Sequence, residues 1–225
     1  MNRKKITKEK IIQAVLESAF DKSAGNTSLS DISEILHIKK ASLYNHFPSR
    51  ESIFSAAIEY CGLYMKKISF TPRDTEKIIQ KYSAEVVLKG IVNRYIKLHE
   101  KEPLFQMYTF IQSEKYFDSN AARIALEQEN EIINETEELF QSLLRLNKLT
   151  LSEKQLSAAA RWFCEGFLTM MAAYLTRRKE IMRKNPETGI GSLFALPPDD
   201  KTIAEIDTLV QFFMSFIKQA AYGTK

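Results

Sequence analysis

The chain has 225 residues, a formal net charge of +4 and 44% hydrophobic residues, which suffices for one large or two small domains with a real core. Only seven Gly and six Pro are present, and this balance favours an almost entirely helical protein. The longest apolar run, 162–175, is too short for a membrane span and contains Glu165 and Gly166. The basic first ten residues lead into an amphipathic pattern, so we expect no secretion signal.

Charge and cysteine usage favour a cytoplasmic protein with a basic head. Residues 1–67 contain 11 Lys/Arg and 7 Asp/Glu, so this part carries the whole net charge and the remainder is neutral. Such asymmetry is typical of a DNA-facing head on a neutral body. Cys61 and Cys164 each lie in an apolar helical context. We expect two buried, reduced thiols in preference to a disulfide.

The first two predicted helices are marked by their caps. Apolar residues at helical spacing predict a helix over about 8–23, with Thr7 as its N-cap and Gly25 after its end. Ser28 and Asp31 are placed for a capping box at the start of the second helix. Two short amphipathic helices are therefore expected before residue 37.

A tight turn and two further helices complete the N-terminal part. Residues 37–39 form the predicted turn, and the third helix covers about 40–46 with Leu43 and Phe47 facing inward. After the Pro48 break, the fourth helix covers about 50–67. Two short helices joined in this way predict a helix-turn-helix, which lays its second helix in the major groove of DNA.

The rest of the chain predicts a helical body. We place a DNA-binding domain at 1–49, a connecting helix at 50–67 and the body at 70–225. Ser152 and Gln155 predict a capping box, and the proline-containing segment 185–201 predicts a loop. The predicted body helices cover about 75–101, 103–116, 119–147, 152–184 and 202–221. The expected fold class is all-α.

Polar and small side chains near the turn are the candidate DNA contacts. Lys39 and Lys40 can neutralise phosphates or reach a guanine, and Ser28 lies at a helix N-terminus, which favours phosphate. An ordinary solvated surface helix is the alternative reading. The candidates are Ser28, Lys39, Lys40, Ala41, Ser42, Tyr44, Asn45, His46 and Arg50.

Residues 40–51 read Lys-Ala-Ser-Leu-Tyr-Asn-His-Phe-Pro-Ser-Arg-Glu, and Thr-Ser-Leu precedes them at 27–29. With these residues, 7–54 resemble the N-terminal domain of the tetracycline-repressor (TetR) family. The resemblance implies a helix-turn-helix domain followed by a helical domain that dimerises and encloses a small-molecule pocket.

Two positions depart from the family pattern. The family usually has glycine in the turn, where this chain has His37, and histidine tolerates the left-handed region at a small strain. The family also favours a Ser or Thr cap where Lys39 stands. We expect a local loss of about 0.5–2 kcal/mol from the missing cap.

The last two predicted helices carry more apolar surface than one helix side usually buries. Together with the resemblance, this favours a homodimer with a four-helix interface. Filling of the monomer core is the alternative. The candidate interface residues are Phe163, Phe167, Met171, Phe212, Phe213 and Phe216.

Aromatic and methionine residues with a few polar neighbours could line an effector pocket in the body. The alternative is that each is plain core. A hydrophobic effector there would re-angle the fourth helix and change the separation of the two DNA-reading heads. The candidates are Arg94, His99, Phe105, Tyr108, Trp162, Glu165, Met170 and Tyr174.

Enzymatic patterns are absent from the sequence, so we expect no catalysis, metal or cofactor. Glu131, Glu135 and Glu138 share a helix face, but an ExxH helix to complete a metal site is missing, and a solvated acidic face is expected. The predicted function is a bacterial, cytoplasmic transcriptional repressor without membrane association, located on the nucleoid when bound to DNA. Its partners would be double-stranded DNA, a second copy of itself and an unidentified small molecule. The alternative is a helical protein that acts through protein partners, or binds DNA without an effector.

Overall fold

A computed structural model describes residues 6–185 and 199–222, and every regular element in these residues is a helix. The predicted all-α class is confirmed. Most of the predicted loop at 185–201, including Pro186, Pro197 and Pro198, lies outside the described residues, as do the basic residues 3–5. The elements are α1 (Lys8–Lys22), α2 (Leu29–Ile35), a 3₁₀ helix (Lys40–Asn45), α3 (Arg50–Met65), α4 (Thr75–Lys81), α5 (Ala84–His99), α6 (Leu104–Glu114), α7 (Ser119–Arg145), α8 (Glu153–Lys184) and α9 (Asp200–Tyr222).

One predicted helix, 75–101, is in fact two, so the prediction of a continuous helix was wrong. The backbone is extended at Tyr82, and Ser83 begins α5 by accepting a hydrogen bond from the Val86 N–H at 3.4 Å. Lys148 Nζ donates to three backbone carbonyls at the end of α4. A serine cap and a distant lysine therefore produce a break that neither glycine nor proline marks in the sequence.

The described residues form two compact units, and the first contains 6–68 and 103–128. In its core, the ring of Phe20 on α1 meets that of Phe105 on α6 edge to face, with centroids 5.0 Å apart. Phe54 on α3 lies 6.4 Å from Phe110 on α6. This unit differs from the predicted 1–49 domain because α6 packs against α1 and α3. The division of functions between domains stays a prediction.

The second unit contains 69–102, 129–185 and 199–222. Helix α5 packs against α8 and α9, which also pack against each other. An aromatic cluster fills part of this core, since the ring of Phe213 lies 5.0 Å from Phe163 and 5.4 Å from Phe140. The second unit is therefore held largely by large apolar side chains from helices far apart in the sequence.

Both cysteines are buried and free, which confirms the prediction of reduced thiols. Burial raises the pKa of Cys61 to about 12 and that of Cys164 to about 11. The Cys164 thiol also lies 3.2 Å from Thr136 Oγ1. Both side chains therefore act as small core residues that stay protonated at neutral pH.

Candidate nucleic-acid interface

The entry to α2 is the predicted capping box. The Asp31 N–H donates to Ser28 Oγ at 3.2 Å, and the Ser28 N–H donates to Asp31 Oδ2 at 2.8 Å. The Ser28 hydroxyl donates to the same carboxylate at 2.9 Å, and Lys22 Nζ donates to its other oxygen at 2.6 Å. The bond from Lys22, followed by those from Ser28, lowers the pKa of Asp31 to about 2. Both donors with which Ser28 could bind a phosphate are therefore engaged within the protein.

The turn after α2 is closed by a left-handed residue. His37 has a φ of 52°, its N–H donates to the Glu34 carbonyl at 3.0 Å, and the Ile38 N–H donates to the Ser33 carbonyl at 3.0 Å. This is the hydrogen-bond pattern of a Schellman motif, in which glycine is the commonest residue at the position of His37. The expected left-handed conformation of His37 is confirmed, and the turn keeps its geometry without glycine.

The 3₁₀ helix displays most of the predicted DNA contacts. Hydrogen bonds from the Ser42 N–H to the Lys39 carbonyl and from the His46 N–H to the Leu43 carbonyl close its turns. Leu43 is fully buried and anchors the helix to the core. Ser42 and His46 are half-buried, whereas the exposed predicted contacts are Lys39, Lys40, Ala41, Tyr44 and Asn45. These side chains therefore lie at the protein surface, and their contact with DNA stays a prediction.

A second capping box fixes the chain after the 3₁₀ helix. The Ser52 N–H donates to Ser49 Oγ at 3.2 Å, and the Ser49 N–H donates to Ser52 Oγ at 3.1 Å. Just before it, Phe47 is buried, and Lys8 Nζ lies 5.3 Å from the centroid of its ring. Lys8 is thus a positive charge beside the interface that the sequence analysis missed, although the N-terminal charge excess was a signal for it.

Arg50 is engaged inside the first unit. Its Nε donates to the Thr27 carbonyl at 3.3 Å, and its Nη2 donates to the carbonyls of Thr27 and Ala24 at 3.0 and 2.9 Å. The guanidinium also lies over the Phe54 ring, 4.1 Å from the centroid. A phosphate contact by Arg50 stays a prediction. In the structure its side chain binds backbone carbonyls and an aromatic ring, which the sequence did not indicate.

The predicted effector residues are distributed over both units. Phe105 and Tyr108 belong to the first, and burial raises the pKa of Tyr108 to about 12. In the second, Tyr174 is fully buried and Met170 half-buried, whereas Glu165 and Trp162 are exposed. His99 is buried too; burial lowers its pKa to about 4, and its Nδ1 lies 3.0 Å from the Tyr95 carbonyl. The structure leaves the effector site itself a prediction.

Arg94 binds the segment that follows α3. Its Nη2 donates to the carbonyls of Ser69 and Phe70 at 2.7 and 2.6 Å. Glu135 Oε2 accepts from the Ser69 hydroxyl at 2.6 Å and from the Thr71 N–H at 2.7 Å. Glu135, expected as part of a solvated acidic face, thus fixes the same segment as Arg94.

The second unit also contains a partly buried polar cluster, of which the sequence analysis named only Tyr174. Arg178, with a side chain only 3% exposed, pairs with Glu100. Lys97 Nζ lies 3.2 Å from both Glu100 Oε2 and the Tyr174 hydroxyl. Burial opposes ionisation of Glu100, but the bond from Tyr174 and the charges of Arg178 and Lys97 hold its pKa below the ordinary value. The sequence pattern around Glu100 and Arg178 did not indicate that either side chain would be largely buried.

The predicted dimer residues divide by exposure. Phe163, Phe167, Met171 and Phe213 are buried within the second unit, so they fill its core. Phe212 and Phe216 are 65% and 50% exposed, and they lie 6.2 and 4.9 Å from the 41% exposed Trp162. We call Trp162, Phe212 and Phe216 the exposed aromatic patch. Exposed aromatic rings that lie together in this way are candidates for a protein interface.

Among residues 6–185 and 199–222, the acidic, histidine and cysteine side chains form no group of three or more that could hold a metal ion. In the same residues, no helix is sufficiently long and apolar to cross a membrane.

Comparison with known proteins gives the family. Residues 11–57 match the model of the tetR family of bacterial regulatory proteins. The negative transcriptional regulator IcaR of the biofilm operon icaADBC from Staphylococcus epidermidis is 30% identical over 144 residues, which cover 55% of this chain and 75% of IcaR. IcaR from Staphylococcus aureus strain Newman is 27% identical over 150 residues, covering 62% and 78% of the two chains.

A solved structure supports the fold over nearly the whole length. The TetR-family transcriptional regulator from Mesorhizobium loti superposes with a TM-score of 0.59 at 17% identity, covering 93% of this chain and 95% of that one. The helix-turn-helix with its capped entry, left-handed turn and exposed 3₁₀ helix lies within the residues that match the family model. The chain belongs to the TetR family of bacterial helix-turn-helix transcriptional regulators.

Proposed function

We propose that this protein is a homodimeric repressor that binds a palindromic or pseudo-palindromic operator and is released by a small, mainly hydrophobic effector. The observation that carries the proposal is the 3₁₀ helix, whose exposed polar side chains are held between a Schellman turn and a capping box. The name of IcaR describes a negative regulator, which supports repression here. Two such helices related by a two-fold axis would meet successive major grooves.

In this proposal Lys39 and Lys40 bind phosphate or a guanine edge, and Asn45 and Ser42 contribute hydrogen bonds to bases or backbone. Ala41 allows close approach to a thymine methyl group. Tyr44 and His46 contact the sugar–phosphate backbone from the rim. Ser28 would orient the N-terminus of α2 through its bonds to Asp31, because its own donors are already engaged.

The exposed aromatic patch supports the dimer. Its three rings lie on α8 and α9, and aromatic residues of this kind are typical of the buried centre of protein interfaces. For the effector, we propose a site in the second unit near Tyr174, where an apolar core meets the hydroxyl of this residue. A screen of small hydrophobic compounds for thermal stabilisation tests it, with Tyr174→Phe as the variant that should weaken the response.

Selection of tight-binding duplexes from a randomised DNA pool is the first experiment. We expect enrichment of an inverted repeat, bound at least about 10³-fold more tightly than random DNA. Lys40→Ala should weaken binding and reduce the slope of log affinity against log salt by about 0.9 if Lys40 neutralises one phosphate. Lys101→Ala, an exposed lysine of the second unit, is the matched control.

The opposite result is equally informative. A folded dimer that enriches no sequence would contradict operator binding and would direct the search to a protein partner. An operator that is bound equally well with and without every stabilising compound would contradict effector release, while leaving sequence-specific binding in place.

A further inference from the structure

Arg50 occupies an unusual place for a basic residue. It is the first residue of α3, where the helix dipole presents its positive end and favours acidic side chains. The helix dipole therefore gives no reason for an arginine there. The side chain instead reaches back 23 and 26 residues to the carbonyls of Thr27 and Ala24, in the loop between α1 and α2.

The guanidinium suits this task. Its planar fork donates to two carbonyls while lying over an aromatic ring, whereas a lysine ammonium can donate to carbonyls but has no planar group to stack. Stacking over Phe54 at 4.1 Å holds the plane in place, and Phe54 in turn lies 6.4 Å from Phe110 on α6. Arg50 is thus oriented by the core of the first unit before any DNA is bound.

The loop that Arg50 holds leads directly into the helix-turn-helix. Thr27 is 99% buried and its hydroxyl donates to the Ser23 carbonyl at 2.9 Å. The next residue, Ser28, begins α2, and α2 packs against the 3₁₀ helix. The bonds from Arg50 therefore fix α2, and with it the 3₁₀ helix, relative to the start of α3.

We propose that Arg50 is a positioning residue for operator binding, which clamps the carbonyls of Ala24 and Thr27 and so sets the orientation of the 3₁₀ helix. The proposal rests on the proposed operator-binding function for its effect on DNA. The clamp itself is a property of the free protein, so it can be tested separately.

The experiment compares wild type with Arg50→Lys and Arg50→Ala in two measurements. The first is affinity for the selected operator and for random DNA over a series of salt concentrations. The second is amide hydrogen exchange of the free protein, read over residues 24–36, with α8 as the internal reference. Circular dichroism melting checks that each variant is folded.

A clamp predicts that both substitutions weaken operator binding at least tenfold with an unchanged salt slope, while binding to random DNA is retained. It also predicts faster exchange over 24–36 and unchanged exchange in α8. A phosphate contact predicts instead that Arg50→Lys keeps nearly wild-type affinity for the operator. It also predicts that Arg50→Ala reduces the slope of log affinity against log salt by about 0.9 and weakens binding to operator and random DNA equally. That second pattern, or wild-type exchange over 24–36 in Arg50→Lys, would overturn the proposal.

If the wild type itself selects no operator, the proposed function fails and the exchange measurement alone decides on the clamp. If Arg50→Ala does not fold, Arg50→Lys carries both measurements, since it keeps the charge and most of the apolar stem.

Discussion

Both compact units contain serine caps and aromatic packing, and they differ mainly in buried charge. In the first, short side chains fix helix ends by bonding to nearby backbone groups, as Ser28 does with Asp31 three residues later. In the second, long helices are held by aromatic packing and by buried charges such as Arg178, which pairs with Glu100 just after α5. The loss of one capping hydrogen bond in the first unit should therefore lower the free energy of unfolding less than an unpaired buried charge in the second.

The largest expected effect is at the buried ion pair. Arg178→Met leaves the largely buried Glu100 carboxylate with only Lys97 and the Tyr174 hydroxyl as partners, so we expect a loss near the lower end of about 3–5 kcal/mol in the free energy of unfolding. Urea denaturation followed by circular dichroism at fixed protomer concentration measures it. Arg183→Met removes an exposed pair with Glu180 and should lower the free energy of unfolding much less than Arg178→Met does. Equal decreases in the free energy of unfolding in the two variants would show that burial does not strengthen the effect of removing an ion pair.

A pH effect of similar size is expected at His99. Its pKa is lowered from 6.5 to about 4 by burial, so the unfolded chain binds the extra proton first as the pH falls. The contribution of neutral His99 to the free energy of unfolding should be fully present above pH 6.5. It should fall by about 3 kcal/mol as the pH drops to 4, because each unit of pKa difference corresponds to about 1.36 kcal/mol. Denaturation curves of wild type and His99→Gln at several pH values isolate this part. Parallel curves for the two proteins would remove His99 as the cause.

A smaller effect is expected at the exposed aromatic patch. Phe216→Asp places a charge beside Trp162, and we expect the dissociation constant of the proposed dimer to rise about 30-fold, or about 2 kcal/mol. Analytical ultracentrifugation over a concentration series measures it. Phe117→Asp, at an aromatic 86% exposed in the first unit, is the control and should leave assembly unchanged. The reverse pattern would move the interface to the first unit.

The smallest effect compares one turn from each unit. His37 and Asn147 both have positive φ, 52° and 56°, at the ends of α2 and α7. His37→Gly should raise the free energy of unfolding by up to about 1 kcal/mol, because glycine adopts this region without strain. Asn147→Gly should gain less, since asparagine tolerates the left-handed region better. Thermal melting at fixed concentration compares them, and a loss at His37→Gly would mean that its side chain stabilises the turn.

The structure also separates what the sequence could predict from what it could not. Caps and turns were predictable because their partners lie within about five residues, and Ser28, Ser152 and His37 all adopt the expected local structure. The 3₁₀ helix was predictable as a helix, and its exposed contacts follow from the inward side chains Leu43 and Phe47.

Long-range partners were beyond reach of sequence patterns. Nothing near Arg50 indicates that it binds carbonyls in the α1–α2 loop, and nothing near Lys148 indicates that it ends α4. The burial of Arg178 likewise depends on where α5 and α8 meet. Such contacts depend on how the helices pack, which residue periodicity does not specify.

Trp162 is the single tryptophan of the chain, and it lies within the exposed aromatic patch, 4.9 Å from Phe216. If two copies associate through this patch, the environment of Trp162 changes, and its fluorescence reports the association. Its emission should shift to shorter wavelength as the protein is concentrated, because assembly would remove water from the indole. Subunit exchange could then be followed without any label. Ligand titrations read by the same emission need a constant protein concentration, since assembly and binding would otherwise share one signal.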